Sequence, residues 1–257
     1  SAADIHQNIA DSKVRLLDAR NQRIRPGTDD KVITAWNGMM IGAMALGHQI
    51  TGDQRYLLAA KNAADFIHTH LTDNSELLRT WRAGKAQLRA YLEDYAYLGE
   101  GLLDLYEAGG GFQYLARAQV LAKQILEQFS DPKGGALFST AHNHEELIVR
   151  KKEGHDGATP SENAVAANLF ARLSQHFNDE TSREAAISII EAFGEDISKM
   201  PRAFSKTLHA VDTLLSVPTE IVFCGPADSE LAKELRQTVF ATYLPHHVIA
   251  HQETSGA

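Results

Sequence analysis

Three times along this chain, a helix-length segment rich in small residues is followed, after a short polar or glycine turn, by a helix-length segment with a charged face. Apolar and small residues recur at helical spacing through about 32–50 and 54–71, 92–108 and 112–129, and 161–177 and 181–197. The breaks within each pair are TGDQ at 51–54, GGGF at 109–112 and FNDE at 177–180, so each pair reads as an antiparallel helical hairpin. The hairpins therefore span about 32–71, 92–129 and 161–197, behind an N-terminal helix near 4–20.

The hairpins also repeat in sequence. A shift of 58 residues lays Asn37-Gly38 on Tyr95-Ala96, Tyr56 on Tyr114, Ala60 on Ala118, Ala64 on Ala122 and Ile67 on Ile125. A further shift of 68 lays Tyr95-Ala96 on Asn163-Ala164 and Ala118 on Ala186. One offset serves both helices of a pair, which marks a repeated unit. The first helix of each pair collects small residues, Gly38, Gly42, Ala43, Ala45 and Gly47, then Ala96, Gly99 and Gly101, then Ala164, Ala166 and Ala167. Glycine costs a helix interior about 1 kcal/mol relative to alanine, so its accumulation points to helices packed closely on several sides. The second helices carry Lys61, Asp65, Arg117, Lys123, Glu127, Arg183, Glu184 and Glu191, as suits a half-wet outer layer. Inner helices wrapped by outer ones make an α/α toroid. Three hairpins are visible where a closed ring needs six, so the expectation is an incomplete toroid or a piece of a longer protein.

The links between hairpins, about 72–91 and 130–160, are long, and such links are often functional. All lead into inner-helix N-termini and so lie on one face. Within the second, GGALFST and EELIVRKK alternate as a β-hairpin would. After about Arg202 the pattern changes to a helix near 203–215, the strand SVPTEIVFCG, a helix capped by Asp228 or Ser229, and the strand HHVIAHQ. Residues 1–202 are thus expected as the toroid segment and 203–257 as a helix with a small β-α-β appendage.

With 257 residues, 44% of them hydrophobic, the chain can bury a substantial core, and a net charge of −8 without any basic patch argues against nucleic acid as a partner. No apolar run approaches the roughly 20 residues of a membrane span, so no membrane partner and a cytoplasmic location are expected. Cys224 stands alone, which excludes a CxxC motif, and its neighbours IVFCGP suggest a buried strand residue. His142, His144 and Glu145 lack a third ligand at metal spacing, and no phosphate-cradling glycine loop or serine elbow is present. Neither a metal nor a cofactor is expected.

Inner-helix N-termini collect unusual residues three times: Asp29, Asp30, Lys31, Trp36 and Asn37; Glu93, Asp94 and Tyr95; His155, Asp156, Ser161, Glu162 and Asn163. Each has a structural alternative. Asp29 and Asp30 fit the first turn of a helix after Thr28, and TPSE at 159–162 fits a capping box with proline at the first helical position. Glu93 and Asp94 follow only the apolar Tyr91 and Leu92, and HDG at 155–157 has no helical duty of its own, so function and structure weigh about equally there. Trp36 and Trp81 are either core or sugar-stacking platforms, and Trp81 lies beside Arg79 and Arg82.

RIRPGTDDKVITAWNGMMIGAMA, LEDYAYLGEGLLDLYEA, the GG-x-L-F-S-T loop and KEGHDGATPSENAVAANL resemble the C-terminal half of the YyaL-like, spermatogenesis-associated family of thioredoxin-domain proteins. The resemblance covers nearly the whole chain. It implies a six-hairpin toroid similar to N-acylglucosamine 2-epimerases and α/α glycosidases, preceded in family members by a thioredoxin-like domain. The family's DDK, WNG, EDYA and DGA-x-PS-x-N motifs match Asp29–Lys31, Trp36–Gly38, Glu93–Ala96 and Asp156–Asn163, while Glu162 stands where a small residue often follows Pro-Ser.

Two functions compete. In a sugar-active toroid, glycosidase-like or epimerase-like, Asp30, Asp94 and Asp156 are the catalytic candidates, because glycosidic hydrolysis needs a pair of carboxyls. Asp29, Lys31, Trp36, Asn37, Trp81, Arg82, Glu93, Tyr95, His155, Glu162 and Asn163 are then the candidates for binding a sugar-like ligand. An epimerase would draw instead on His155 as acid or base. The alternative is a non-catalytic binding or scaffold module serving a thioredoxin-like domain or a partner protein.

Overall fold

The computed structural model describes residues 1–73, 76–145, 147–226 and 229–252. Two compact units result, Ser1–Lys31 and Val32–Ala257. The first holds helix α1 (Ala2–Asn21), whose start is capped reciprocally by Ser1 and Asp4. Residues 203–252 thus fall in the same unit as the hairpins.

The second unit begins with β1 (Val32–Ile33) and the first hairpin, α2 (Thr34–Thr51) and α3 (Gln54–His70). The strands β2 (Thr72–Asp73), β3 (Glu76–Arg82) and β4 (Lys85–Arg89) follow. Next come α4 (Leu92–Glu107) with α5 (Phe112–Phe129), then α6 (Glu162–Phe177) with α7 (Glu180–Ala192). The chain continues through α8 (Gly194–Lys199), a 3-10 turn at Pro201–Phe204, α9 (Ser205–Leu215), β5 (Thr219–Cys224), α10 (Glu230–Phe240) and β6 (His247–Gln252).

The hairpin turns use the chemistry their residues dictate. Gly52 takes the left-handed conformation at φ 70° and closes α2 with its N–H on the His48 carbonyl, and Asp53 then caps α3. Asn178 at φ 49° and Asp179 do the same between α6 and α7. A left-handed residue followed by an N-cap reverses the chain in two residues.

The core lies where the inner helices meet. α4 packs between α2 and α6, and α9 packs on the far side of α6, giving the consecutive row α2, α4, α6, α9. Nearly all of α4 is buried, including Tyr95, Leu98, Leu102, Leu103, Leu105 and Tyr106. Each such side chain contributes about 1.5–3 kcal/mol. α2 and α4 touch through backbone: a β-carbon on Gly101 would lie 2.2 Å from the Gly38 carbonyl oxygen.

Several expectations are corrected. The link at 72–91 forms an antiparallel sheet, with β1 pairing β3 (Val32↔Trp81, Ile33↔Thr80) and β4 on the other side of β3, turned by Ala83 and Gly84 at φ 50° and 80°. The expected β-hairpin at 130–160 has no strand among the described residues; Glu146 lies outside them. Ser139 N–H does reach the Lys151 carbonyl at 2.9 Å, but neighbouring backbone groups are engaged elsewhere. Leu137 N–H and C=O both bond the Asn163 carboxamide, at 2.8 and 3.0 Å, and the Ser139 carbonyl accepts Leu92 N–H at the start of α4, at 3.0 Å. The expected cap Asp228 lies outside the described residues, and Ser229 caps α10. Cys224 is exposed rather than buried, because β5 and β6 make a sheet of only two strands. These strands are parallel, joined through α10, and Tyr106 Oη accepts the His251 N–H at 3.0 Å, tying β6 to α4.

Candidate functional site

Of the acidic and polar clusters singled out in the sequence, those around Asp94 and Asp156 sit at helix starts and make contacts there, whereas Asp29, Asp30 and Lys31 do not. α2 begins after Ile33, which offers no side-chain cap, so Asp29 and Asp30 are not in its first turn. They and Lys31 belong to the first unit, are exposed, and Lys31 Nζ lies 3.2 Å from Asp29 Oδ2. The acid that caps α2 comes from α4. Asp94 Oδ1 accepts Ala35 N–H at 3.0 Å, while its Oδ2 accepts Tyr91 N–H and Arg79 Nη1, both at 3.0 Å. Asp94 therefore has a helical duty, the structural one of the two roles that the sequence weighed about equally for it. Arg79 also meets Glu93 Oε1 at 2.6 Å and lies over the Tyr91 ring.

Asp156 likewise has a helical duty, accepting Ser161 N–H at 2.9 Å and Lys206 N–H at 2.8 Å, which joins the starts of α6 and α9. Ser161, not Thr159, caps α6, so Pro160 precedes the cap instead of opening the helix. Glu162 accepts the Ser139 hydroxyl at 2.5 Å, and Asn163 is buried, clamping Leu137 and the Glu153 carbonyl. Tyr95 is buried with its hydroxyl on Leu77 N–H, and the exposed His155 lies against the Phe204 ring at 4.7 Å. Trp81 packs edge-on to Phe66, Arg82 is exposed at the end of β3, Trp36 is 62% exposed, and Asn37 bonds the Ile33 carbonyl one turn back.

Burial pushes the Asp94 carboxyl up to about 6 from 3.8, against the pull of Arg79 and of two N–H donors. The folded chain then holds this proton more tightly than the unfolded chain does. Stability from this group is full below pH 3.8 and falls as pH rises through about 6, by on the order of 3 kcal/mol. Urea unfolding at stepped pH should show wild type losing that amount relative to Asp94→Asn between pH 4 and 7; parallel curves would contradict this assignment.

A second constellation lies along the inner face of the helix row. On α4, Glu100, Asp104 and Glu107 recur at one-turn spacing and project from one side. α6 presents Asn168, Arg172 and His176 against them, and α9 presents Lys206. Lys206 Nζ lies 2.7 Å from Glu100 Oε1, which also accepts the Asn168 amide. Arg172 spans Asp104 at 2.6 Å and Glu107 at 2.7 Å, and His176 Nε2 lies 2.8 Å from the other Glu107 oxygen. Although burial disfavours charge on Glu107, Arg172 and His176 outweigh it and hold the carboxyl at about 2. Burial also opposes ionisation of Glu100, but Lys206 and Arg172 prevail and keep it below the usual range. Asp104 goes the other way. Burial and repulsion from Glu100 and Glu107 exceed the pull of Arg172 and raise it.

Of these groups, Glu100, Asp104, Glu107 and Lys206 border a cleft of about 320 Å³ whose walls also include Gly42, Leu46 and Tyr97. An adjoining space of about 350 Å³ shares Glu100, Asp104 and Lys206 and extends to Asn168, Arg172 and His246. The sequence repeat accounts for this convergence. Shifts of 58 and 68 lay Gly42, Glu100 and Asn168 on one another, then Leu46, Asp104 and Arg172, then Gln49, Glu107 and Gln175, and all nine line these two spaces. Sequence reading passed over this cleft because its acids and bases pair only across helices. The signal was present: the 68-residue shift lays Glu100 on Asn168 and Asp104 on Arg172, and both pairs are hydrogen-bonded.

Among the described residues, no three of His, Cys, Asp or Glu are grouped to hold a metal ion, and no helix is long and apolar enough to cross a membrane.

No protein-family model matches the chain. Human spermatogenesis-associated protein 20 is 32% identical over 246 residues, which are 91% of this chain and 31% of that protein. An uncharacterised Caenorhabditis elegans protein is 32% identical over 259 residues, 98% of this chain and 35% of the relative. The chain thus spans about a third of the length of the curated relatives it matches. Among solved structures, a cellobiose 2-epimerase from Bacillus thermoamylovorans superposes with a TM-score of 0.55 at 15% identity, over 66% of this chain and 46% of the epimerase. A GH76 α-mannanase from Bacteroides thetaiotaomicron superposes with a TM-score of 0.57 at 14% identity, over 84% of this chain and 58% of the mannanase. At such identities the likeness is one of fold, and that fold is the α/α toroid.

Proposed function

Since the chain belongs to the family of spermatogenesis-associated protein 20 and carries an α/α-toroid fold, we propose that it is a sugar-binding domain whose site is the inner-face cleft. The observation that carries this reading is the convergence of equivalent positions from successive hairpins on two adjoining spaces: those of α2 and α4 on the cleft of about 320 Å³, and those of α4 and α6, with acid, amide and guanidinium groups, on the space of about 350 Å³. Such a volume lies at the small end of ligand pockets, and both signs of charge are present to bond hydroxyls as donor and acceptor. The same fold serves proteins named for cellobiose epimerisation and for α-1,6-mannan.

The cleft is also equipped for proton transfer. Glu100 and Asp104 stand one turn apart on α4, so their carboxyls project from the same side of the helix. Glu100 is held ionised and Asp104 is pushed toward its protonated form. Environments that drive two carboxyls apart in this way assign one as base and the other as acid. Asp94, with its side chain fully buried, is a positioning residue that fixes α2 against α4.

Calorimetric titration with glucose, mannose, cellobiose and α-1,6-mannobiose tests the reading. Wild type should bind at least one of them. Glu100→Gln and Asp104→Asn should each weaken that binding at least about tenfold, or about 1.4 kcal/mol, while Asp94→Asn leaves it unchanged. No binding by any of the four, or loss in Asp94→Asn alone, would overturn it.

A further inference from the structure

The carboxyls along the cleft outnumber the permanent cations that pair with them. α4 contributes Glu100, Asp104 and Glu107, and all three line the space of about 320 Å³. Two cations meet them, Lys206 at Glu100 and Arg172 shared between Asp104 and Glu107. Glu107 is complete, with one oxygen on Arg172 and the other 2.8 Å from His176 Nε2.

Asp104 and Glu100 each keep one oxygen without a donor. Arg172 meets Asp104 at Oδ1, and Lys206 and Asn168 both meet Glu100 at Oε1. Among the described residues nothing donates to Asp104 Oδ2 or Glu100 Oε2, and neither oxygen is shut off from solvent. The Asp104 side chain is 34% exposed, the most open of the three. Gly42 on the facing wall leaves its free oxygen room, since a β-carbon there would lie 2.6 Å from Oδ2. Repulsion from Glu100 and Glu107 adds to burial in raising the Asp104 carboxyl against the pull of Arg172. A further cation at this place would relieve that repulsion, whereas a hydroxyl would not.

Resting on the sugar-binding reading, we infer that the first cleft selects a sugar bearing a free amine, which as an ammonium ion bonds Asp104 Oδ2 and Glu100 Oε2. The ligand class is accordingly an amino sugar, of which glucosamine and mannosamine are the simplest probes. Its ammonium supplies the third cation that the three carboxyls lack, and hydrogen bonds between charged partners are stronger than those to hydroxyls. An N-acetylated amine is neutral and cannot do this. Recognition involves no covalent step beyond loss of the Asp104 proton to solvent. With such a ligand the ammonium, not Asp104, holds the proton of the pair; with a neutral sugar Asp104 keeps it.

Titration calorimetry at pH 7 compares glucosamine with glucose and mannosamine with mannose. For the pair that binds, the amino sugar should be at least about tenfold tighter than its parent, and the N-acetylated sugar should show no such advantage. The advantage should shrink at least about fivefold as pH is lowered from 7 to 4, because Asp104 takes up its proton while the amine stays cationic. Asp104→Asn should lose at least about tenfold more affinity for the amino sugar than for its parent. Melting curves show whether that variant is folded, and the wild-type pH series decides where it is not. Equal affinity for amino sugar and parent in wild type would overturn the inference and leave the sugar-binding reading standing. An advantage shared by the N-acetylated sugar, undiminished at pH 4, or kept in folded Asp104→Asn would also overturn it. No binding by any parent or amino sugar overturns both.

Discussion

Gly101→Ala should destabilise the chain by about 3 kcal/mol, where an unobstructed helical glycine would gain about 1 kcal/mol from the same change. The added methyl would lie 2.2 Å from the Gly38 carbonyl oxygen and 3.1 Å from its carbon. Those are backbone atoms of the neighbouring helix, so α2 and α4 must move apart, and no rotamer change relieves the clash. The natural control is Gly47→Ala on α2, whose β-carbon would come no nearer than 3.5 Å to the Tyr56 ring, an ordinary contact. That variant should gain up to about 1 kcal/mol. Urea unfolding of the two variants checks the pair, and a Gly101→Ala protein as stable as wild type would mean that α2 and α4 are not in backbone contact. Since Gly42, Glu100 and Asp104 face the cleft beside this crossing, the same separation would also disturb the site.

Arg172→Met should cost about 3–5 kcal/mol at pH 7, because it leaves Glu107 buried without its cation. The pH dependence separates this cause from lost packing. In wild type, Glu107 titrates at about 2 when folded against 4.5 ordinarily, so its stabilisation is present above pH 4.5 and is lost as pH falls toward 2. Without Arg172 the burial that opposes its charge prevails, and folding comes to favour the protonated carboxyl. The deficit of the variant should therefore shrink as pH is lowered from 7 to 4. A second change, Glu107→Gln, should recover at least about 1 kcal/mol of it at pH 7. A deficit that is constant with pH and is not relieved by the second change would show that Arg172 matters for packing alone.

The hairpins were legible because their signals are local: small residues on inner helices, glycine or Asn-Asp turns, and offsets of 58 and 68 residues. The sheet at 72–91 was not, because β1 has only two residues and ELLRTWR in β3 lacks clean alternation. The polar clusters at inner-helix starts stood out by composition, yet the reason for their unusual residues is a long-range one. α2 has no side-chain cap of its own and takes Asp94 from α4, while α4 receives the Ser139 carbonyl. Capping rules that look only at adjacent residues cannot see a cap arriving from 59 positions away. The inner-face cleft was hidden for a similar reason, since Asp104 and Arg172 look like ordinary helix charges until the helices are set side by side.

The most direct measurement of the central claim is a crystal structure of the chain grown with cellobiose or with α-1,6-mannobiose. The account predicts sugar density between α2, α4 and α6, with hydroxyls in hydrogen-bonding reach of Glu100 and Asp104. Sugar bound instead at the helix starts beside Glu93 and His155, or a solvent-open cleft left empty at saturating sugar, would contradict it.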